Sequence, residues 1–213
     1  RKLAALAIQE GQTREAVKQW RNALLANPDN EKIANRLAWV APTKEGEWVV
    51  DIPSLERINE IIAQRDEIKP AAGADLAYLL DDEVTHLNPD GSTSNVVTMV
   101  AHAINQAGRD QLTKMRIRSG GRHRLRHAFA VGPDGRRVEA SSIRGRIVRF
   151  RQLLPGSTVV LQYRIDESAD SYLSGHMSRQ WWFQSPSVQS VRGRWVLWTD
   201  KTTQFKQTLV GPV

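Results

Sequence analysis

Leu79-Leu80-Asp81-Asp82-Glu83-Val84, followed closely by Asn88-Pro89-Asp90-Gly91, is the stretch whose reading decides the fold. Proline presets φ for a turn, aspartate can bond the backbone two residues on, and glycine accepts a positive φ. Apolar segments flank the tetrapeptide at 76–87 and 92–104, so the whole reads as a β-hairpin. Further along, Pro133-Asp134-Gly135 separates 125–131 from 137–143 in the same way. Leu154-Pro155-Gly156-Ser157 then precedes the alternation Val159, Leu161, Tyr163, Ile165. Val191, Gly193, Trp195 and Leu197 alternate again near the end. Short strands punctuated by turn signals predict an antiparallel β-sandwich over 75–213.

Upstream the pattern is helical, which makes the expected fold class α+β. Gly11, Ala16, Trp20, Ala23 and Pro28 are spaced as in the second half of a tetratricopeptide repeat (TPR), with Thr13 as N-cap and Asn27-Pro28-Asp29 as stop. Leu3, Ala4 and Ala7 fit the end of that repeat's first helix; Ile33, Ala34, Leu37, Ala38 and Val40 fit a following one. Residues 1–41 thus resemble a TPR-like helical hairpin, with a protein partner as its expected ligand. One repeat cannot bury its own apolar face, so further repeats are expected before Arg1. Residues 42–74 read as a linker with one helix. There Asp51 is the expected cap, Pro53 sits near the first turn, and Leu55, Ile58, Ile61 and Ile62 form one stripe. Pro70-Ala71-Ala72-Gly73 ends it.

With 213 residues, 40% of them hydrophobic, the chain can bury a sizeable core. No apolar run reaches the roughly 18 residues needed to span a membrane as a helix. The absence of cysteine excludes disulfides, thiolate metal sites and a cysteine nucleophile within these residues. The chain starts inside an amphipathic pattern without Met, and is read as a piece of a longer protein.

The net charge of +7 is uneven. Residues 111–151 carry twelve Lys and Arg against only Asp134 and Glu139, which makes that stretch +10 and the remainder −3. Such a field attracts polyanions. The candidate anion-binding residues are Arg116, Arg118, Arg122, Arg124, Arg126, Arg149 and Arg151. Arg116 and Arg118 share one strand face, as do Arg122, Arg124 and Arg126. If those strands pair, the result is an arginine ladder in need of counter-charges. Nucleic acid is disfavoured as the ligand because no recognised binding motif accompanies the charge. Trp181, Trp182 and Trp198 are the candidate interface aromatics, with Trp198 placed to stack on Arg192 and Arg194.

His123 and His127 are expected on one strand face, too few ligands for a metal site. Asp81-Asp82-Glu83 and Asp166–Asp170 read as solvated strand ends rather than a calcium loop. Ser141, Ser142 and Ser157 sit at turns without a nucleophile elbow. No cofactor and no catalytic residue is expected.

Taken in order, these segments resemble the β-rich domain of unknown function that precedes transglutaminase-like domains in bacterial proteins. The matching residues are Leu79-Leu80-Asp81-Asp82-Glu83, Pro89-Asp90-Gly91, and the strand 96–108 ending in Ile104-Asn105-Gln106-Ala107-Gly108. Pro133-Asp134-Gly135-Arg136-Arg137-Val138, Ser141-Ser142-Ile143, Leu154-Pro155-Gly156-Ser157 with Val160 and Tyr163, and Phe183-Gln184-Ser185-Pro186 complete the set. A shortened 143–154 segment and Leu161-Gln162 after the paired valines depart from the family pattern. The resemblance covers about two thirds of the chain. It implies a non-catalytic accessory module, a papain-like Cys-His-Asp domain downstream of Val213 as its partner, and a periplasmic or membrane-associated setting. A second expectation is a module that binds an anionic glycan or lipid headgroup through its arginine-rich face.

Overall fold

The hairpin turn forms as its residues dictate. The Asn88 N–H donates to the Ser92 carbonyl at 2.8 Å, the Gly91 N–H donates to the Asn88 carbonyl at 2.9 Å, and Gly91 takes φ +83°. A computed structural model describes residues 13–27, 30, 33, 47–88, 91–118, 122–167 and 187–199. Within them lie three α-helices, α1 (Thr13–Ala26), α2 (Leu55–Ala63) and α3 (Gln106–Leu112). The strands are β1 (Leu76–Leu87), β2 (Thr93–Ala103), β3 (Lys114–Arg116), β4 (Arg122–Val131), β5 (Arg137–Glu139), β6 (Ser142–Arg144), β7 (Ile147–Arg149), β8 (Thr158–Glu167), β9 (Val188–Ser190) and β10 (Gly193–Trp198). The protein is mixed α/β and is organised around one large sheet.

That sheet has seven strands in the order β10-β1-β2-β8-β4-β5, with β9 joined to the start of β1. From β1 to β5 every pairing is antiparallel, as the turn chemistry predicts. The last two strands depart from a wholly antiparallel sheet. β9 and β10 run parallel to β1, with Leu76 opposite Val188 and Asp82 opposite Arg194. The reason is topological. β8 ends level with the end of β1 whereas β9 starts level with its beginning, so the chain returns to the other end of the sheet before adding a neighbour to β1. A parallel return needs a dozen or more residues, and 168–187 supply them.

Both faces of the large sheet are covered. On one, Ile58, Ile61 and Ile62 of α2 pack against Ala77, Leu79, Leu80, Val100, Phe129 and Val160. Trp48, in the 3-10 turn Glu47–Asp51, extends this layer over Val84 and Val96. On the other face, α3 and a three-stranded sheet, β3-β7-β6, bring Leu112, Met115, Val148 and Phe150 onto Val97, Met99, Ala101, Leu161 and Tyr163. A strand covered on both sides is buried almost continuously rather than at every second residue. β1, β2 and β8 all show this.

Local details depart from expectation in three places. The cap of α2 is Ser54, whose Oγ accepts from the Arg57 N–H at 3.3 Å, while Asp51 lies a turn earlier with other partners. The segment 104–108 does not prolong its strand: β2 stops at Ala103, and Asn105 caps α3 by accepting from the Gly108 N–H at 3.0 Å. A Cβ on Gly108 would collide with the Asp75 carbonyl, which is why glycine stands there. Finally, register shifts at Leu79 in β1 and Arg126 in β4 each insert an extra residue. A bulge transfers every later side chain to the opposite face.

Of the residues expected to form a TPR-like hairpin, those of α1 are described, with Trp20 buried on it. Apart from Asn27, Asn30 and Ile33, the rest of 1–41 lies outside the described residues.

Candidate functional site

The strands that carry the arginines of the basic segment do not pair with each other, so no arginine ladder forms. β3 pairs with β7 in the small sheet, whereas β4 pairs with β8 and β5 in the large one. Arg116 and Arg118 are therefore separated from the β4 arginines. The Met115 and Ile117 side chains anchor β3 and the residues just after it inside the core. Arg118 is half-exposed, and its guanidinium lies 3.5 Å from the buried Asp81. On β4, Arg122 is registered opposite Asp166 and exposed Arg124 opposite Arg164, and Arg126 is the extra residue of the bulge. Arg151 is exposed just past β7.

A different basic grouping emerges on the small sheet. Register places Lys114, Arg149 and Ser142 in one row across β3, β7 and β6, and Arg116, Ile147 and Arg144 in the next row but one. Met115 and Val148 in the intervening row point into the core. Side chains alternate, so Lys114, Arg116, Arg144 and Arg149 all project from the outer face, and all four are exposed. No carboxylate among the described residues pairs with any of them. Arg116 and Arg149 belong to the expected set. Lys114 and Arg144 do not, and only the pairing of three short strands reveals them.

The acidic triplet, expected to be solvated, is buried instead. β1 lies between β2 and β10, so its polar side chains are enclosed once β10 adds. Asp82 is wholly buried and accepts from Arg194 Nε at 2.5 Å. Arg194 also donates to the Asp51 carbonyl, and the Trp198 indole N–H donates to Asp51 Oδ2 at 2.6 Å. Trp198 and Arg194 thus share a face as read from the sequence, but they converge on Asp51. Arg192 is engaged elsewhere, donating to Gln64 Oε1 at 2.8 Å. Trp181 and Trp182 lie outside the described residues.

On the opposite face of β1, Asp81 joins Arg118, Tyr78 and Tyr163. Burial raises both Asp81 and Asp82 above the ordinary carboxylate range, against the opposing pull of Arg118 and Arg194. Burial also pushes Tyr163 up to about 12, although its hydroxyl accepts the Arg118 backbone N–H at 3.1 Å. Glu83, the third member, accepts from Thr85 Oγ1 at 3.4 Å, and Thr85 in turn accepts from the Trp195 indole at 3.1 Å. Asp166 accepts from Arg164 and from Ser94, each at 2.8 Å.

The histidine pair is split by the β4 bulge. His123 stands opposite Ile165, and its Nε2 lies 3.1 Å from the Gly145 carbonyl; His127 stands opposite Gln162 on the other face. His86 stacks on Trp48 with ring centroids 5.6 Å apart, and burial holds it below its usual value. The serine hydroxyls serve turns: Ser157 Oγ accepts from the Leu154 N–H, and Ser141 Oγ donates to the Arg149 carbonyl, both at 3.0 Å. Among the described residues, no group of three His, Cys, Asp or Glu side chains is placed to hold a metal ion. No described helix is long and apolar enough to cross a membrane.

No family model and no curated protein matches this chain. Solved structures with partial likeness include a proposed protease from Parabacteroides distasonis ATCC 8503, at 15% identity and TM-score 0.40, over 45% of this chain and 24% of that one. The M1 zinc metallopeptidase of Deinococcus radiodurans is 22% identical at TM-score 0.30, over 54% of this chain and 26% of that one. The chain therefore spans about a quarter of the length of the structures it matches.

Proposed function

We propose that this chain is a non-catalytic accessory module of a larger bacterial protein of the transglutaminase-like type. In this reading, 1–41 form a TPR-like hairpin that holds a partner protein. The β-sandwich of 75–213 positions a papain-like Cys-His-Asp domain downstream, in the periplasm or at a membrane. The supporting observation is how the ordered motifs are used. Asn88 and Gly91, Pro133-Asp134-Gly135 and Leu154-Pro155-Gly156-Ser157 are turns between strands, and Asp81 and Asp82 are tied to arginines of the framework. Purified protein ending at Val213, incubated with a glutamine-containing peptide and a primary amine, is expected to give neither transamidation nor amide hydrolysis. Turnover that survives repurification and scales with the protein would overturn the reading.

A second reading, a module for an anionic cell-envelope polymer, is favoured by the outer face of the small sheet. Lys114, Arg116, Arg144 and Arg149 are exposed together there, with no carboxylate partner among the described residues.

A further inference from the structure

We infer that the outer face of the β3-β7-β6 sheet is a binding site for a flexible linear polyanion with closely spaced phosphate groups, a proposal that rests on the second reading above. Four observations carry it. First, the cations occupy two alternate register rows, successive on the outer face, Lys114 with Arg149 and Arg116 with Arg144. Adjacent strands are about 4.8 Å apart and alternate residues about 6.7 Å apart. The patch therefore measures roughly 10 by 7 Å at the backbone, long enough to meet several successive charges of one chain. Second, Lys114 and Arg149 are directly opposed, and like charges in that relation are destabilising. Nothing described in the protein offsets that cost, whereas a bound polyanion would. Third, three of the four cations are arginines, whose planar fork matches phosphate oxygens two at a time. The four cations are spread over three strands, an arrangement suited to an array of charges rather than to one small anion. Fourth, the apolar residue of the face, Ile147, is half-buried between Arg116 and Arg144, and the exposed Ile143 belongs to the opposite face. A face with no protruding apolar side chain has nothing to insert into a bilayer, which favours a soluble polymer over a membrane.

The test is titration of the 213-residue chain with long-chain inorganic polyphosphate at 50 and 200 mM salt. Binding is expected at the lower salt and should weaken more than about tenfold at the higher. The variant K114Q/R116Q/R144Q/R149Q is expected to lose at least about 30-fold in affinity, with a salt slope shallower by about 3. The control K18Q/K69Q/R124Q/R136Q removes the same charge from exposed positions elsewhere and is expected to lose less than about threefold. Thermal unfolding of each variant checks folding. Should the quadruple variant misfold, R149Q alone, expected to cost about threefold, decides the matter. Equal losses in the two quadruple variants would overturn the site while leaving polymer binding by the general basic field intact. No binding by the unaltered chain would overturn both. Vesicles containing one-third anionic phospholipid, bound more tightly than polyphosphate and lost in the K114Q/R116Q/R144Q/R149Q variant, would overturn the polymer in favour of a lipid surface.

Discussion

Asp82 shows how a single side chain can be costly and retained. It is wholly buried, and one of its oxygens accepts from Arg194 while the other, Oδ1, has no partner among the described residues. Its folded-state pKa is raised, chiefly by burial. The folded protein therefore holds the proton more tightly than the unfolded chain, whose carboxyl titrates near 3.9. Below that value both states are protonated and this contribution to stability is fully present. As the pH rises through the raised folded value the proton must leave a buried site, and the contribution is lost. Asp82→Asn keeps the shape and cannot ionise. Its unfolding free energy is expected to fall less than the wild type's as pH rises above about 4, and at pH 7 the variant should be at least as stable. Denaturant titrations at pH 4, 5.5 and 7 that give parallel profiles for the two proteins would refute this. Three adjacent acids read as solvated because carboxylates are almost never fully buried unless paired. Their pairing depends on Arg118 and Arg194, 37 and 112 residues away from their partners.

At the scale of elements, α2 is the clearest case of a pattern that the structure uses as written. Its stripe of Ile58, Ile61 and Ile62 is buried against six side chains of the large sheet. A segment that connects two parts in sequence thus becomes a layer of the β core. Ile61→Ala is expected to cost about 2–5 kcal/mol of unfolding free energy, a large share of the 5–15 kcal/mol typical of a domain. By contrast, the exposed Arg57–Glu60 pair on the same helix, at 2.8 Å, contributes about 0–1 kcal/mol. Chemical denaturation of Ile61→Ala beside Glu60→Gln checks the ranking, and an Ile61 variant as stable as the Glu60 variant would contradict it. The bulges behave differently. Nothing at Leu79 or Arg126 announces an extra residue, because a bulge is a mismatch between two strands and neither strand carries it alone. Its consequence is large: His123 and His127 part company, and β1 presents Tyr78 to one layer but Leu80 to the other.

At the scale of the whole molecule, α2 and the small sheet cover opposite faces of one shared large sheet, so α2 is part of the same folded unit as β2 and β8. Native-state hydrogen exchange is therefore expected to give the amides of Ile61 and Ile62 opening free energies close to those of Val97 and Leu161 in β2 and β8. Values several kcal/mol lower for the helix would mean that it docks as a separate unit. The turns were readable from sequence because Pro-Asp-Gly and Pro-Gly-Ser chemistry acts within four residues, and so were the stripe of α2 and the alternation of β8. These local rules were enough to determine the hairpin turns, the approximate places of the long strands β1, β2, β4 and β8, and the excess of positive charge between 111 and 151. Tertiary structure alone decided the rest: the parallel return of β9 and β10, the burial of Asp81 and Asp82, and the meeting of Lys114, Arg116, Arg144 and Arg149 on one face. Each of these depends on which distant strands become neighbours. That choice follows from covering both faces of a shared sheet, a free energy summed over the whole core and carried by no single motif.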